Sequence, residues 1–124
     1  MNVWLAVAAG GALGAVLRYA VLRLLGGGSG IAWATFGVNA VGSVAAGVLF
    51  VLLAQRLSDE DPLRGFLMIG LLGAMTTFST FSLDTVRLML AGAYGPAAAN
   101  VLLNLAVCLL GCWLGIVATR QRLA

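Results

Sequence analysis

The sequence predicts an all-α integral membrane protein of four transmembrane helices, from its composition, its long apolar segments and its paired small residues. Of its 124 residues, 62% are hydrophobic and only 9% are charged. A soluble domain of this length needs a more polar surface, so lipid must surround most of these side chains. Because no repeat or low-complexity segment divides the chain, we expect residues 1–124 to form a single membrane domain.

Four apolar segments are each long enough to cross a bilayer, which takes about 20 helical residues. The first segment stops at a glycine run, residues 26–28, and a charged loop, residues 55–64, separates the second from the third. Since a backbone in lipid must satisfy its own hydrogen bonds, we expect helices. The segments cover about residues 3–25, 31–54 and 65–91, and the fourth begins near Pro96 and ends at residues 119–122.

Small residues recur at a spacing that lets membrane helices approach closely. Gly10 and Gly14 form one GxxxG pair, and Gly111 and Gly115 form another. Such pairs bring helix backbones together in a bundle. They predict close packing but say little about function, because most multi-pass membrane proteins contain them.

The charges favour a dimer. All seven basic residues are arginines, and four arginines against three is a weak positive-inside bias. Four short helices also cannot readily enclose a pore alone, so both facts favour a dimer, for which an antiparallel arrangement is one solution. The side that holds both termini would carry Arg56, Arg64, Arg120 and Arg122, and the opposite side Arg18, Arg23 and Arg87.

Titratable and catalytic groups are scarce. The acids are Asp59, Glu60 and Asp61 in the charged loop and Asp84 toward the end of the third span, and the chain has no histidine or lysine. Proton-coupled transporters usually need a titratable group at depth. Without a nucleophile–base pair or a metal-ligand cluster we expect no enzyme activity. The arginines are scattered and form no cluster with aromatic residues, which predicts no nucleic-acid binding.

Neutral polar side chains remain inside the spans. Interhelical hydrogen bonding, worth about 0.6 kcal/mol per bond, explains such residues without a transport role. For Thr35 and Ser43 both interpretations stay open, while for Asn39, a full amide at mid-depth, we favour a functional role. Two stripes share a helix face through a spacing of four: Thr35, Asn39 and Ser43 in the second span, and Asn100, Asn104, Cys108 and Cys112 in the fourth.

The third span contains the segment GAMTTFSTFS, residues 73–82, whose hydroxyl side chains would face lipid poorly. Gly70 and Gly73 precede these hydroxyls, which favours a discontinuous helix whose backbone is buried in protein. Freed carbonyls there could bind a cation, and freed N–H groups could meet an anion. Phe78 and Phe81 lie three apart, and the partly positive edges of their rings can line a path for a small anion.

Arg18 lies about 21 Å along the first helix from Trp4, near the far boundary of a hydrocarbon core of about 30 Å. It could snorkel to the interface beside Tyr19. It could equally raise the anion concentration at a pore entrance. Both interpretations stay open.

Three segments resemble the signatures of the Fluc family of fluoride channels (CrcB-type proteins). They are GGALGAVLRY at residues 10–19, TFGVNAVGS at residues 35–43 and GAMTTFSTFS at residues 73–82. The resemblance covers essentially the whole chain, and TTFSTFS after a glycine is its most specific part.

This resemblance implies a passive, fluoride-selective channel in the cell inner (cytoplasmic) membrane that exports fluoride and reduces its toxicity. It implies an antiparallel, dual-topology homodimer with two pores, each using both subunits. It also implies a structural Na⁺ at the dimer centre, held by backbone carbonyls of Gly73 and Thr76 from both chains. The implied ion pathway consists of Asn39, Phe78 and Phe81, with Ser79 and Thr80 in a polar track beside them.

The fourth span departs from the family pattern. Family members often carry a tyrosine and a serine where Asn100 and Asn104 stand, and a hydroxyl where this chain has Cys108. Because of this difference, the sequence does not decide which residues of the fourth helix line the path. It also does not decide whether the chain pairs with itself or with a second, related subunit.

Two other functions compete with the channel. A small dual-topology, proton-coupled multidrug exporter has a similar size, but that class uses a glutamate in its first helix and the first span here contains no acid. A non-conducting assembly subunit would leave Asn39 and the TTFSTFS segment without a purpose.

Overall fold

The computed structural model describes residues 2–27, 30–54 and 56–124, so Gly28 and Gln55, which the sequence places at the end of the first span and in the charged loop, lie outside the described residues. The third span, Pro62–Leu90, is made of two helices, and the four spans are all long and apolar enough to cross a membrane. The expected all-α architecture is therefore confirmed. The helices are α1 (Val3–Leu25), α2 (Trp33–Ala54), α3 (residues 62–75), α4 (Phe78–Leu90) and α5 (Tyr94–Leu123).

The third span begins three residues earlier than predicted, at Pro62 instead of Gly65. Asp61 caps this helix, because its side-chain oxygen accepts the Leu63 N–H at 2.8 Å. A proline suits the first helical position, where its missing N–H would have had no partner. The charged loop therefore supplies the start of the span.

Two other boundaries differ slightly from the predicted ones. α2 begins at Trp33, two residues after the predicted start, and α5 begins at Tyr94, before Pro96. A proline is tolerated anywhere in the first helical turn, so Pro96 does not mark the first residue. α5 ends at Leu123, one residue past the predicted end, and Arg120 and Arg122 lie in its last turn, where the helix dipole favours positive charge.

α1 packs against α3 in a parallel pair, and glycines set the distance between them. A β-carbon on Gly10 would overlap the carbonyl oxygen of Phe66, and one on Gly14 would overlap that of Leu71. The predicted role of this GxxxG pair in close packing is confirmed.

α2 and α5 form a second parallel pair that is held in the same way. A β-carbon on Gly115 would come within 2.6 Å of the Val44 carbonyl oxygen, and one on Gly47 would overlap the Cys112 carbonyl oxygen. α4 also packs on α5, so α5 supports both α2 and the second half of the third span.

Large apolar side chains cover the outside of the bundle. Trp4 is 79% exposed, Leu24 82% and Leu109 70%. In water such a surface would be unfavourable, while in a bilayer it is the surface that lipid chains solvate. The chain is thus a multi-pass membrane protein.

α3 winds more loosely than an α-helix over most of its length, as a π-helix from Gly65 to Leu72. The uniformly apolar sequence of this segment did not predict it. π-helical turns are rare and often lie at functional sites. Here the wide turns end directly before Gly73 and the interruption of the third span.

Two adjacent glycines in α1 test the packing. Gly10→Ala places a methyl group against the Phe66 carbonyl. We therefore expect the free energy of unfolding to fall by about 1–3 kcal/mol, with a lower melting temperature in detergent. Gly11→Ala is the matched control, because its methyl would meet nothing within 4 Å and alanine favours helix. Equal melting temperatures for the two variants would show that α1 and α3 are not in close contact.

Candidate functional site

The third span is interrupted at Thr76 and Thr77, which confirms the predicted discontinuity. Both residues are extended, Thr76 with φ −81° and ψ 152° and Thr77 with φ −152° and ψ 117°, and α4 starts at Phe78. Extended residues cannot continue the helical hydrogen bonds. Because an unsatisfied backbone group in a membrane costs several kcal/mol, the break needs partners from elsewhere in the protein.

Asn39 on α2 supplies those partners. The Thr77 N–H donates to Asn39 Oδ1 at 2.8 Å, and Asn39 Nδ2 donates to the Thr77 carbonyl oxygen at 3.1 Å. The side-chain amide thus pairs with the break much as a residue of a neighbouring β-strand would. The structure therefore brings Asn39 into direct contact with the interruption.

Threonine hydroxyls close the two helix ends at the break. Thr76 Oγ1 donates to the Leu72 carbonyl oxygen at 2.8 Å, and Thr77 Oγ1 accepts the Thr80 N–H at 3.1 Å as the N-cap of α4. Thr77 Oγ1 also donates to Thr80 Oγ1 at 3.1 Å and lies 3.2 Å from Ser79 Oγ. The hydroxyls of the TTFSTFS segment therefore end one helix and start the next.

Two more side-chain amides, both on α5, continue the hydrogen bonds of Asn39. Asn39 Nδ2 donates to Asn104 Oδ1 at 3.2 Å, and Asn104 Nδ2 donates to the Asn100 carbonyl oxygen at 2.9 Å. Asn100 Nδ2 donates to Thr85 Oγ1 on α4 at 2.9 Å. The spacing of Asn100 and Asn104 identified the stripe on α5, but nothing in the sequence pattern identified Thr85 as its partner.

The break lines a groove of about 390 Å³ between α2, α3, α4 and α5. Every residue lining it is uncharged, and α4 begins at its wall. The N-terminus of a helix carries a partial positive charge that favours anions, and the C-terminus of α3 carries the opposite charge. The polar lining residues are Asn39, Ser43, Thr76, Thr77 and Asn104.

Phe78 and Phe81 form the aromatic part of the groove. Their ring centroids lie 5.3 Å apart and their planes are tilted by 54°. Phe81 is 7% exposed, while Phe78 is 74% exposed at the open side of the groove. Aromatic ring edges carry a partial positive charge, which can attract a small anion.

The other predicted site residues do not all line the groove. Gly73 and Thr76 share the groove with Asn39 and the phenylalanines, but Ser79 and Thr80 are not among its lining residues. Ser79 is exposed on α4, and Thr80 lines a second cavity. Arg18 is half-buried on α1 and is not among the residues that line either cavity.

The second cavity, also of about 390 Å³, lies at the end of the protein where α1 connects to α2. Thr35 Oγ1 donates to Asp84 Oδ2 at 2.9 Å there, and Thr80 and Arg87 line the same cavity. This pairing was not predicted, because Thr35 and Asp84 are 49 residues apart in the chain.

Backbone carbonyls at the end of α3 fit the oxygen ligands that a hard cation prefers. The Thr77 N–H is bonded to Asn39, so no backbone N–H of the described residues meets the Gly73 carbonyl. The Thr76 carbonyl is equally open, since the Thr80 N–H donates to the Thr77 hydroxyl. Two carbonyls are too few for a full coordination shell, so further ligands would have to come from outside this chain.

Asn39→Asp tests whether Asn39 holds the break. A carboxylate would turn an oxygen toward the Thr77 carbonyl and Asn104 Oδ1, two groups that only accept hydrogen bonds. We expect the free energy of unfolding in detergent to fall by about 1–3 kcal/mol, which a lower melting temperature would show. Ser43→Ala is the control on the same helix face, because Ser43 makes no hydrogen bond to another described side chain. A wild-type melting temperature for Asn39→Asp would contradict this role.

Known proteins resemble the chain along its whole length. The family described as CrcB-like protein, Camphor Resistance (CrcB), matches residues 5–116. The Fluoride-specific ion channel FluC of Aeromonas salmonicida is 46% identical over 124 residues, which cover 98% of this chain and 99% of the relative. The FluC protein of Rhodospirillum centenum is 47% identical over 126 residues, and that of Magnetococcus marinus is 43% identical over 116 residues. The match to the Rhodospirillum centenum protein covers 100% of both chains. The match to the Magnetococcus marinus protein covers 92% of this chain and 94% of the relative.

These relatives are named as ion channels, which agrees with the expectation that the chain is not an enzyme and gives no support to a multidrug exporter. The match includes the span interrupted at Thr76 and Thr77 and the helix that carries Asn39. The chain therefore belongs to the CrcB family, the family of the FluC ion channels.

Proposed function

We propose that the chain is a passive, fluoride-selective channel of the cytoplasmic membrane that lets fluoride leave the cell and so limits its toxicity. The relatives that carry the name fluoride-specific ion channel match nearly the whole chain. The observation that carries the proposal is the groove at the helix break, where an uncharged polar lining meets the start of α4.

The groove offers the hydrogen-bond donors that a strongly hydrated anion requires. Stripping water from fluoride is unfavourable unless other donors replace that water. The hydroxyl of Ser43, the amide of Asn39 and the ring of Phe81 lie around one space, while the Thr76 hydroxyl donates its hydrogen to the Leu72 carbonyl oxygen. Both N–H groups of Asn39 donate within the chain, so an ion that binds this amide replaces one of these acceptors.

Passive conduction follows from the position of the acids. Asp84, the single acid within a span, lies in the middle of α4, where it accepts a hydrogen bond from Thr35, and it is not among the residues that line the groove. Among the described residues, neither a carboxylate nor a basic residue lines the groove. A proton-coupled cycle needs a titratable group along the transport path, and the lining of this groove provides none that charges readily.

An antiparallel homodimer would complete the path. Phe78 is 74% exposed beside the groove, and Gly73 is exposed at the end of α3, so one wall of the site faces outward. A second copy inserted in the opposite orientation would cover this wall, and the weak arginine bias permits both orientations.

The same assembly would hold a Na⁺ ion. The carbonyls of Gly73 and Thr76 lie at the C-terminal, partly negative end of α3 and are open to a ligand. Two copies would double the number of carbonyls, which suits the oxygen coordination of a hard cation. Its role would be structural, because it would join the two interrupted helices.

Fluoride efflux from liposomes tests the function. Liposomes that contain the purified protein and are loaded with potassium fluoride should release fluoride only when valinomycin compensates the charge, since a passive anion channel is electrogenic. A pH gradient should alter the rate only through its effect on fluoride itself. Chloride-loaded liposomes are the control, and chloride release at a comparable rate would contradict fluoride selectivity.

Charge engineering tests the dual topology. Three lysines added after Ala124 should fix one orientation by the positive-inside rule, and three inserted after Gly27 should fix the other. Each variant alone should lose most fluoride efflux, and the two expressed together should recover it. A single orientation of the wild-type chain in cells, measured by labelling Ser58→Cys after Cys108 and Cys112 are replaced by alanine, would contradict the antiparallel homodimer.

A further inference from the structure

We propose that Asn104 and Asn100 on α5 are positioning residues, which hold the amide of Asn39 in the one orientation that fits the helix break. A continuous series of hydrogen bonds joins Thr77 at the break to Thr85 on α4 through these three side-chain amides, with the backbone carbonyl of Asn100 as a second acceptor for Asn104. The part of this proposal that concerns conduction rests on the proposed function, and the structural part does not.

The direction of the series is fixed at its Thr85 end. Thr85 Oγ1 donates its only hydrogen to the Phe81 carbonyl oxygen at 2.8 Å, so its oxygen can only accept from Asn100. Asn100 must therefore turn Nδ2 toward Thr85, at 2.9 Å, and Oδ1 toward Asn104.

The same direction continues through Asn104. Its Nδ2 lies 2.9 Å from the Asn100 carbonyl oxygen and 3.4 Å from Asn100 Oδ1, and both of these atoms only accept. Asn104 Oδ1 therefore faces Asn39, which presents Nδ2 at 3.2 Å. A rotation of any amide by half a turn would set acceptor against acceptor or donor against donor.

The break demands the same orientation independently. The Thr77 N–H only donates and its carbonyl only accepts, so Asn39 must present Oδ1 to the first and Nδ2 to the second. The two ends of the series thus agree, and no buried side-chain nitrogen or oxygen in the described part of the chain lacks a partner.

Burial makes the series sensitive to the loss of one member. Asn100 is 1% exposed, Asn104 6%, Thr77 7% and Thr85 9%, so water cannot replace a missing partner. Asn100 does not line the groove. Its substitution removes the Oδ1 that lies 3.4 Å from Asn104 Nδ2 and leaves the backbone carbonyl at 2.9 Å, so we expect it to loosen Asn104, and through it Asn39, without changing the path itself.

A spectroscopic test follows from the composition, because the chain contains four asparagines: Asn2, Asn39, Asn100 and Asn104. Protein labelled with ¹⁵N-asparagine in detergent gives one side-chain amide signal for each, assigned by single substitutions. Asn100→Leu should shift the signals of Asn104 and Asn39 and leave that of Asn2 in place. An unchanged Asn39 signal in a folded Asn100→Leu protein would overturn the proposal.

A milder variant keeps the test decisive if Asn100→Leu does not fold. Thr85→Val keeps the shape of the side chain and removes its hydroxyl, which is the acceptor for Asn100 Nδ2 and the donor to the Phe81 carbonyl oxygen. It should shift the Asn39 signal in the same direction by a smaller amount. Leu102→Ala is the control on α5, because Leu102 is 67% exposed and points away from the series; a shift of the Asn39 signal as large in this control would overturn the proposal.

Fluoride efflux from liposomes measures the effect of these residues on conduction. Asn100→Leu should slow efflux by about tenfold, the effect of losing one well-buried hydrogen bond. In an Asn39→Leu background, Asn100→Leu should cause no further loss, because Asn100 acts through Asn39. A further loss of the same factor would overturn the positioning role. A wild-type protein that released no fluoride would refute the proposed function instead, and the shift of the Asn39 signal would still decide the structural part.

Discussion

The structure depends on the backbone of Thr77, which leaves the helix in the middle of a membrane span. In that environment both the N–H and the carbonyl of this residue need protein partners, and the side chain of Asn39 satisfies both, at 2.8 Å and 3.1 Å. Without this pairing a continuous helix would be the more favourable conformation. The amide of one residue therefore stabilises the interruption of the third span.

The interruption places two helix ends of opposite polarity at one point of the bundle. The end of α3 leaves carbonyls such as that of Gly73 open, and the start of α4 adds a partial positive charge beside Phe78. A cation and an anion can therefore be accommodated close together with no charged side chain in the groove. This arrangement suits a channel, because an uncharged lining binds an ion without trapping it.

The sequence was sufficient to predict the four spans and the interrupted third helix, because length, hydropathy and the hydroxyl-rich segment are local signals. It also identified Asn39, since a full amide at mid-depth in lipid needs a reason. It could not predict that Thr35 pairs with Asp84 or Asn100 with Thr85, because these contacts depend on how distant segments pack. The sequence also did not predict the π-helical turns before Gly73, since the side chains of these turns are uniformly apolar.

Asn39 holds an interrupted helix beside the proposed route of the ion. The most direct measurement is a structure of the protein determined in lipid in the presence of fluoride. We expect extended backbone at Thr76 and Thr77, the Asn39 amide within hydrogen-bonding distance of the Thr77 N–H and carbonyl, and density for a small anion in the groove that Phe81 lines. A helix that runs unbroken through these threonines, with Asn39 turned away from them, would contradict this role of Asn39.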